Sequence, residues 1–132
     1  MSNRVVDLVI VDDDPIIGKV LLKMLRDYDL NVHFYDDSVV ALEQIIIDRP
    51  RLVILDYNMP QLDGKDLIVK FSEKLMFQTT SVMLFTAQHL CELETMKLMT
   101  LGFEKIITKP VTKNDFVEII SNHLGGLNLK VA

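Results

Sequence analysis

Residues 52–64 read LVILDYNMPQLDG: four apolar residues stop at the carboxylate of Asp56 and give way to a loop containing Pro60 and Gly64. An unbroken apolar run of this length suits a strand buried on both faces, since a strand with one wet face would alternate apolar and polar residues. Proline and glycine then turn the chain, and GKDLIVKFSEKL (64–75) repeats apolar residues at helical spacing. A buried strand, an acid at its carboxyl end and a returning helix form a unit whose repetition decides the fold.

The unit recurs in both directions. Toward the N-terminus, DLVIV (7–11) runs into Asp12, Asp13 and Asp14 ahead of Pro15. Asp14 as N-cap and Pro15 in the first turn predict a helix over IIGKVLLKMLRDY (16–28), with Ile17, Val20, Leu21, Met24 and Leu25 at helical spacing. NVHFY (31–35) reads as a second strand, and Ser38 is expected to cap a helix over VVALEQIIID (39–48). Toward the C-terminus come a strand SVMLF (81–85), a helix over Leu90 to Leu101, a strand KIIT (105–108) and a helix over Lys113 to Leu124. Thr112 and Asp115 approximate a capping box at the start of the last.

Five such strands alternating with helices predict an α/β domain, a single doubly wound (βα)5 unit with helices on both faces of a parallel sheet. Right-handed crossovers favour the strand order 2-1-3-4-5. A chain of 132 residues, 49% hydrophobic, suits one domain over 1–124, leaving GGLNLKVA (125–132) as a tail or the start of a linker.

Composition excludes several function classes. A net charge of −5 offers no basic stripe to neutralise phosphates, so this segment is not expected to bind nucleic acid. The single cysteine, Cys91, cannot form an internal disulfide or a multi-cysteine zinc site and suits a reducing cytoplasm. The apolar run Leu8–Val11 is too short for a signal-peptide core or a membrane span, so a soluble cytoplasmic domain is expected. His33, His89 and His123 are too scattered to be a metal set.

In open parallel sheets ligands bind beyond the carboxyl ends of the strands, above all where strand order reverses. The residues expected there are Asp12, Asp13 and Asp14 after the first strand, Asp56 after the third, Thr86 after the fourth and Lys109 after the fifth. Strands one and three would be neighbours about 5 Å apart, crowding Asp12, Asp13 and Asp56 together. Crowded carboxylates raise their pKa values or take up a cation. All-oxygen donors favour a hard ion such as Mg²⁺, which keeps waters and accepts phosphate oxygens. An acid that merely caps a helix accounts for Asp14, but one cap explains only one acid. Pro110 after Lys109 restricts the backbone that carries the lysine and admits a cis bond.

With LVIVDDDP, LVILDYNMPQLDG, LFTA and KP in this order and spacing, the chain resembles the receiver domain of two-component response regulators over nearly its whole length. The resemblance implies phosphorylation of Asp56 by a histidine kinase or histidine phosphotransfer protein. It implies Mg²⁺, or Mn²⁺, held by Asp13, Asp56 and the backbone carbonyl of Asn58, with Asp12 acting through water. Thr86 and Lys109 would bind phosphoryl oxygens, while Asn58 and Gln88 occupy places that tune phosphoryl lifetime. The switch aromatic of the family falls at Ile106 here, so the usual coupling lacks its ring, with Phe103 as a candidate substitute. The helix-four, strand-five, helix-five face would engage an output or form a homodimer; Leu90, Leu93, Met96, Leu98, Met99 and Leu101 give that helix a broad apolar surface.

Two rival classes are weighed. An aspartate-nucleophile phosphatase of the haloacid dehalogenase type expects Asp-x-Asp-x-Thr/Val after its first strand and a larger core, where this chain has DDDPI. A flavodoxin-like binder needs a phosphate-cradling loop at that place, where three carboxylates would repel the phosphate.

Overall fold

The computed structural model describes residues 4–131; Met1 to Asn3 of the expected domain and Ala132 of the expected tail lie outside the described residues. The elements are β1 (Leu8–Val11), α1 (Pro15–Leu25), β2 (Val32–Tyr35), α2 (Ser38–Asp48), β3 (Leu52–Asp56), α3 (Gly64–Glu73), a 3₁₀ turn (Met76–Gln78), β4 (Ser81–Thr86), α4 (Glu92–Leu101), β5 (Lys105–Thr108) and α5 (Lys113–Leu124). All strands are parallel in the order β2-β1-β3-β4-β5, the doubly wound arrangement read from the alternation.

The period of two along each strand divides the core into two layers. Val9, Val11, Val53, Leu55, Val82 and Leu84 face α2, α3 and α4 through Ala41, Ile45, Leu67, Ile68, Phe71 and Leu98. Leu8, Ile10, Leu52, Ile54, Met83 and Phe85 face α1 and α5 through Leu21, Leu25, Phe116 and Ile120. Both faces of β1 and β3 are buried, which explains their uninterrupted apolar sequences.

Local chemistry sets the helix starts. Asp14 accepts from the Ile16 amide at 2.9 Å ahead of Pro15, as expected. Thr112 accepts from the Asp115 amide at 3.1 Å, while the reciprocal capping box belongs to α3, where Asp63 and Asp66 each accept from the other's backbone amide. The expected cap at Ser38 is corrected: Asp37 caps α2, accepting from the amides of Val39 and Val40 at 2.9 and 3.0 Å. Aspartate one residue earlier does the same work with a charged acceptor, which frees the Ser38 hydroxyl. Helix α4 begins at Glu92 rather than Leu90, with Cys91 exposed at its N-cap.

Residues after α5 pack back on the domain. The Asp29 amide donates to the Asn128 carbonyl at 2.7 Å, and the Lys130 amide to the Asp27 carbonyl at 2.8 Å. Tyr28 and Leu129 form an antiparallel bridge, and Leu127 rests against the α1/α5 layer. Among the described residues no helix is long and apolar enough to cross a membrane.

Candidate functional site

The register of the central strands carries Asp12 and Asp56 to one edge. Val11 lies opposite Leu55, so Asp12 follows β1 where Asp56 ends β3, and Asp56 lies opposite Phe85 of β4. Asp12, Asp13 and Asp56 each present a carboxylate oxygen within 4.8 Å of the others, Asp12 and Asp56 buried and Asp13 exposed. This acidic cluster is the metal-competent group among the described residues.

Lys109 reaches into it from beyond β5. Its Nζ lies 2.8 Å from Asp12 Oδ2 and 3.2 Å from Asp56 Oδ1, above the Phe85 ring at 5.1 Å from the centroid. The ring supplies an electron-rich floor under the ammonium, and its own place opposite Asp56 follows from the strand register. The Lys109 amide donates to the Thr86 carbonyl at 2.8 Å, and the Lys109–Pro110 bond is cis. The other Asp12 oxygen accepts from the Asp14 amide at 2.9 Å.

One ammonium does not balance three carboxylates. Burial, then the charges of Asp12 and Asp13, outweigh the attraction of Lys109 and push Asp56 up to about 6. For Lys109, burial acts to lower the pKa, but hydrogen bonding and attraction from Asp12 and Asp56 win and raise it. The lysine is a fixed positive charge at every physiological pH. Asp56 is poised close to it. All three acidic groups are hard oxygen donors with no His or Cys among them, so the cluster fits Mg²⁺ or Mn²⁺ better than zinc.

Thr86 is buried at the end of β4, and its Oγ1 accepts from the Gln88 amide at 3.0 Å. Gln88 Oε1 in turn accepts from Asn58 Nδ2 at 3.4 Å, joining the loops after β3 and β4. Only Met59 separates Asn58 from a turn that is unusual for non-glycine residues. The Leu62 amide donates to the Pro60 carbonyl at 2.9 Å, and Gln61 between them has φ 68°. An i to i+2 hydrogen bond with a left-handed centre is the rarer form of γ-turn, costing of order 1 kcal/mol or more. Ser38 joins both ends, donating to Pro60 O at 3.1 Å and accepting from Leu62 N at 3.2 Å. The loop base closes through the Gly64 amide on Tyr57 O at 3.1 Å. A Cβ on Gly64 would stand 3.0 Å from the Asp56 carbonyl, so glycine lets α3 start this close to the site.

Residues expected to act in switching divide. Ile106, opposite Leu84 in the register, is half-buried against the α4 layer. Phe103 is fully packed in that layer, a core position rather than a free ring beside Thr86. On α4 only Leu98 is buried, while Leu93, Met96 and Met99 are exposed. His33, His89 and His123 do not gather with one another or with the acids. What sequence reasoning missed is the Asn58–Gln88 bond and the Ser38 stitch. The available signal for the second was Asp37, which makes a serine cap redundant.

The family model described as response regulator receiver domain matches residues 8–121, and the chain belongs to that family. Response regulator Rre1 of Synechocystis sp. is 28% identical over 120 residues, 90% of this chain and 52% of Rre1. A 14.6 kDa protein of Leptolyngbya boryana is 28% identical over 117 residues, 89% of this chain and 88% of that protein. Among solved structures, a CheY-like receiver domain protein from Methanospirillum hungatei matches with a TM-score of 0.81 at 23% identity, covering 92% and 95% of the two chains. Chemotaxis protein CheY4 of Vibrio cholerae matches with a TM-score of 0.80 at 18% identity, covering 90% and 98%. At such identities the structural likeness speaks for the fold. The chain thus spans nearly all of one curated relative and about half of another.

Proposed function

We propose that this chain accepts a phosphoryl group on Asp56 from a phosphohistidine of a histidine kinase or histidine phosphotransfer protein, within a cytoplasmic two-component pathway. The observation that carries the reading is the Asp56 carboxylate, ending the central strand between Lys109 and the acids Asp12 and Asp13. An Asp56 oxygen attacks phosphorus, the new O–P bond forms as the P–N bond to the donor imidazole breaks, and the leaving nitrogen keeps the electron pair. No base is needed, because the attacking group is ionised above about pH 6.

Phosphoryl transfer demands positioning and charge neutralisation more than covalent assistance. Lys109 holds one positive charge at the attacking oxygen and is kept there by Asp12. Mg²⁺ or Mn²⁺, bound by Asp13, Asp56 and the Asn58 carbonyl with Asp12 through water, would supply the remaining neutralisation. Thr86 bonds a phosphoryl oxygen once the group is attached, and its loop movement signals to the α4, β5 and α5 face, where an output or a second copy docks. Asn58 and Gln88 control the access of water that ends the signal. Ile106 passes the movement by packing alone.

Incubation with acetyl phosphate and Mg²⁺ tests the reading. The expected result is a mass gain of one phosphoryl group mapped to Asp56 and absent from Asp56→Asn. Rapid turnover of phosphomonoesters, or equal labelling of Asp56→Asn, would overturn it.

A further inference from the structure

We infer that Ser38 is a positioning residue for the metal-binding half of the site, holding the loop after β3 so that the Asn58 carbonyl faces the acids. The inference rests on the proposed phosphoacceptor reading and adds to it a residue on α2, a different helix from any that carries the site.

The Ser38 side chain has no other task. Asp37 already caps α2, yet Ser38 is buried and its hydroxyl makes two hydrogen bonds to the backbone of a loop more than twenty residues away. Both partners belong to the left-handed γ-turn centred on Gln61. A non-glycine residue in that region relaxes unless its surroundings hold it. Ser38 clamps the two groups that define the turn, and Met59 is buried against the α2, α3 and α4 layer. Tyr57 is bonded at the loop base through its carbonyl. Asn58 is therefore held on both sides, by Tyr57 before it and by the clamped Met59–Leu62 segment after it. A cavity of about 140 Å³ puts Asp13, Ser38, Pro60 and Gln61 on one surface, so the clamped turn borders the acid expected to share the ion with Asn58.

Removing the hydroxyl is mild for folding. In Ser38→Ala the Leu62 amide and the Pro60 carbonyl keep each other as partners, so neither is left orphaned. What is lost is the hold on the turn. Outer residues that orient metal ligands cost about tenfold or more in affinity when removed, and about tenfold weaker Mg²⁺ binding is the effect expected here.

The test is a Mg²⁺ titration followed by ¹⁵N NMR, with cooperative thermal unfolding recorded alongside, on wild type, Ser38→Ala, Gln61→Gly and the double variant. Glycine adopts a left-handed φ without strain, so the double variant should recover most of the Mg²⁺ affinity that Ser38→Ala loses. Unchanged affinity in Ser38→Ala overturns the inference. Weakened affinity that Gln61→Gly fails to restore also overturns it, because the loss then comes from α2 and not from the turn. A wild type that binds Mg²⁺ and takes phosphate from acetyl phosphate while Ser38→Ala matches it sinks the positioning role alone. A wild type that does neither sinks the phosphoacceptor reading with it.

Discussion

Strand β1 carries an aspartate just before its first residue and another just after its last, and the two live in opposite circumstances. Asp7 accepts from the Asn31 amide at 2.9 Å and from Arg51 at 3.4 Å. Around it Asn31 donates to the Val5 carbonyl, Arg51 to the Leu124 carbonyl and Thr80 to the Pro50 carbonyl. Both charges there, Asp7 and Arg51, meet partners from the chain. At the other end Asp12 shares a single ammonium with Asp56, and Asp13 adds a third carboxylate. No buried side-chain nitrogen or oxygen lacks a hydrogen bond among the described residues, so the deficit at this end is of positive charge alone. One edge of the sheet is closed by the protein; the other is left short of positive charge, which is what the proposed Mg²⁺ site would supply.

The largest expected effect comes from worsening that deficit. Lys109→Ala removes the only ammonium that, among the described residues, touches Asp12 and Asp56, a preorganised charge in a half-buried site. Losing one such group costs about 10²–10³ in rate. Phosphotransfer from acetyl phosphate, measured at saturating Mg²⁺, should fall by that factor while thermal unfolding stays cooperative. A rate within threefold of wild type would show that Lys109 serves the fold and not the transfer.

The next effect reverses the usual sign of a mutation. The pKa of Asp56 is raised from 3.8 to about 6 in the folded chain, so between these values the native state binds more protons than the unfolded one. Stability then falls as pH rises through that window. Asp56→Asn abolishes the penalty. It should stabilise the metal-free protein by about 3 kcal/mol at pH 7, with the gain fading as pH falls below the unfolded value of 3.8, where both states of wild type become protonated. Urea unfolding in a chelator at both pH values reads this directly. A gain that persists at low pH would mean the charge cluster is not its source.

The same division explains what could be read from the sequence. Buried strands betray themselves by composition, so β1, β3 and the strand order were legible, and with them the meeting of Asp12, Asp13, Asp56 and Lys109 at one edge. Helix caps were legible to within a residue, since Asp and Ser are both good caps and only the three-dimensional partners choose between Asp37 and Ser38. The γ-turn was hidden because glutamine carries no signal for a left-handed φ. The Asn58–Gln88 bond joins residues thirty apart through side chains whose type fits any exposed loop. Local chemistry writes strands and caps; contacts between loops depend on where the finished sheet delivers them.

The smallest expected effect breaks the comparison at its closed end. Asp7→Asn keeps an oxygen for the Asn31 amide but removes the charge that Arg51 meets. Arg51 is half-exposed and also donates to Leu124, so solvent screens the loss. About 0.5–1 kcal/mol of destabilisation follows at pH 7. The identical chemical change thus lowers stability at one end of β1 and raises it one strand over at the other. Phosphotransfer rates should be unaffected, because Asp7 lies a strand's length from the acids. If Asp7→Asn stabilised the protein as Asp56→Asn does, the lower edge would also be short of positive charge, and the division between a closed and an open end would fail. If it slowed phosphotransfer, the two ends of β1 would be coupled through the strand itself, which its rigid burial on both faces argues against.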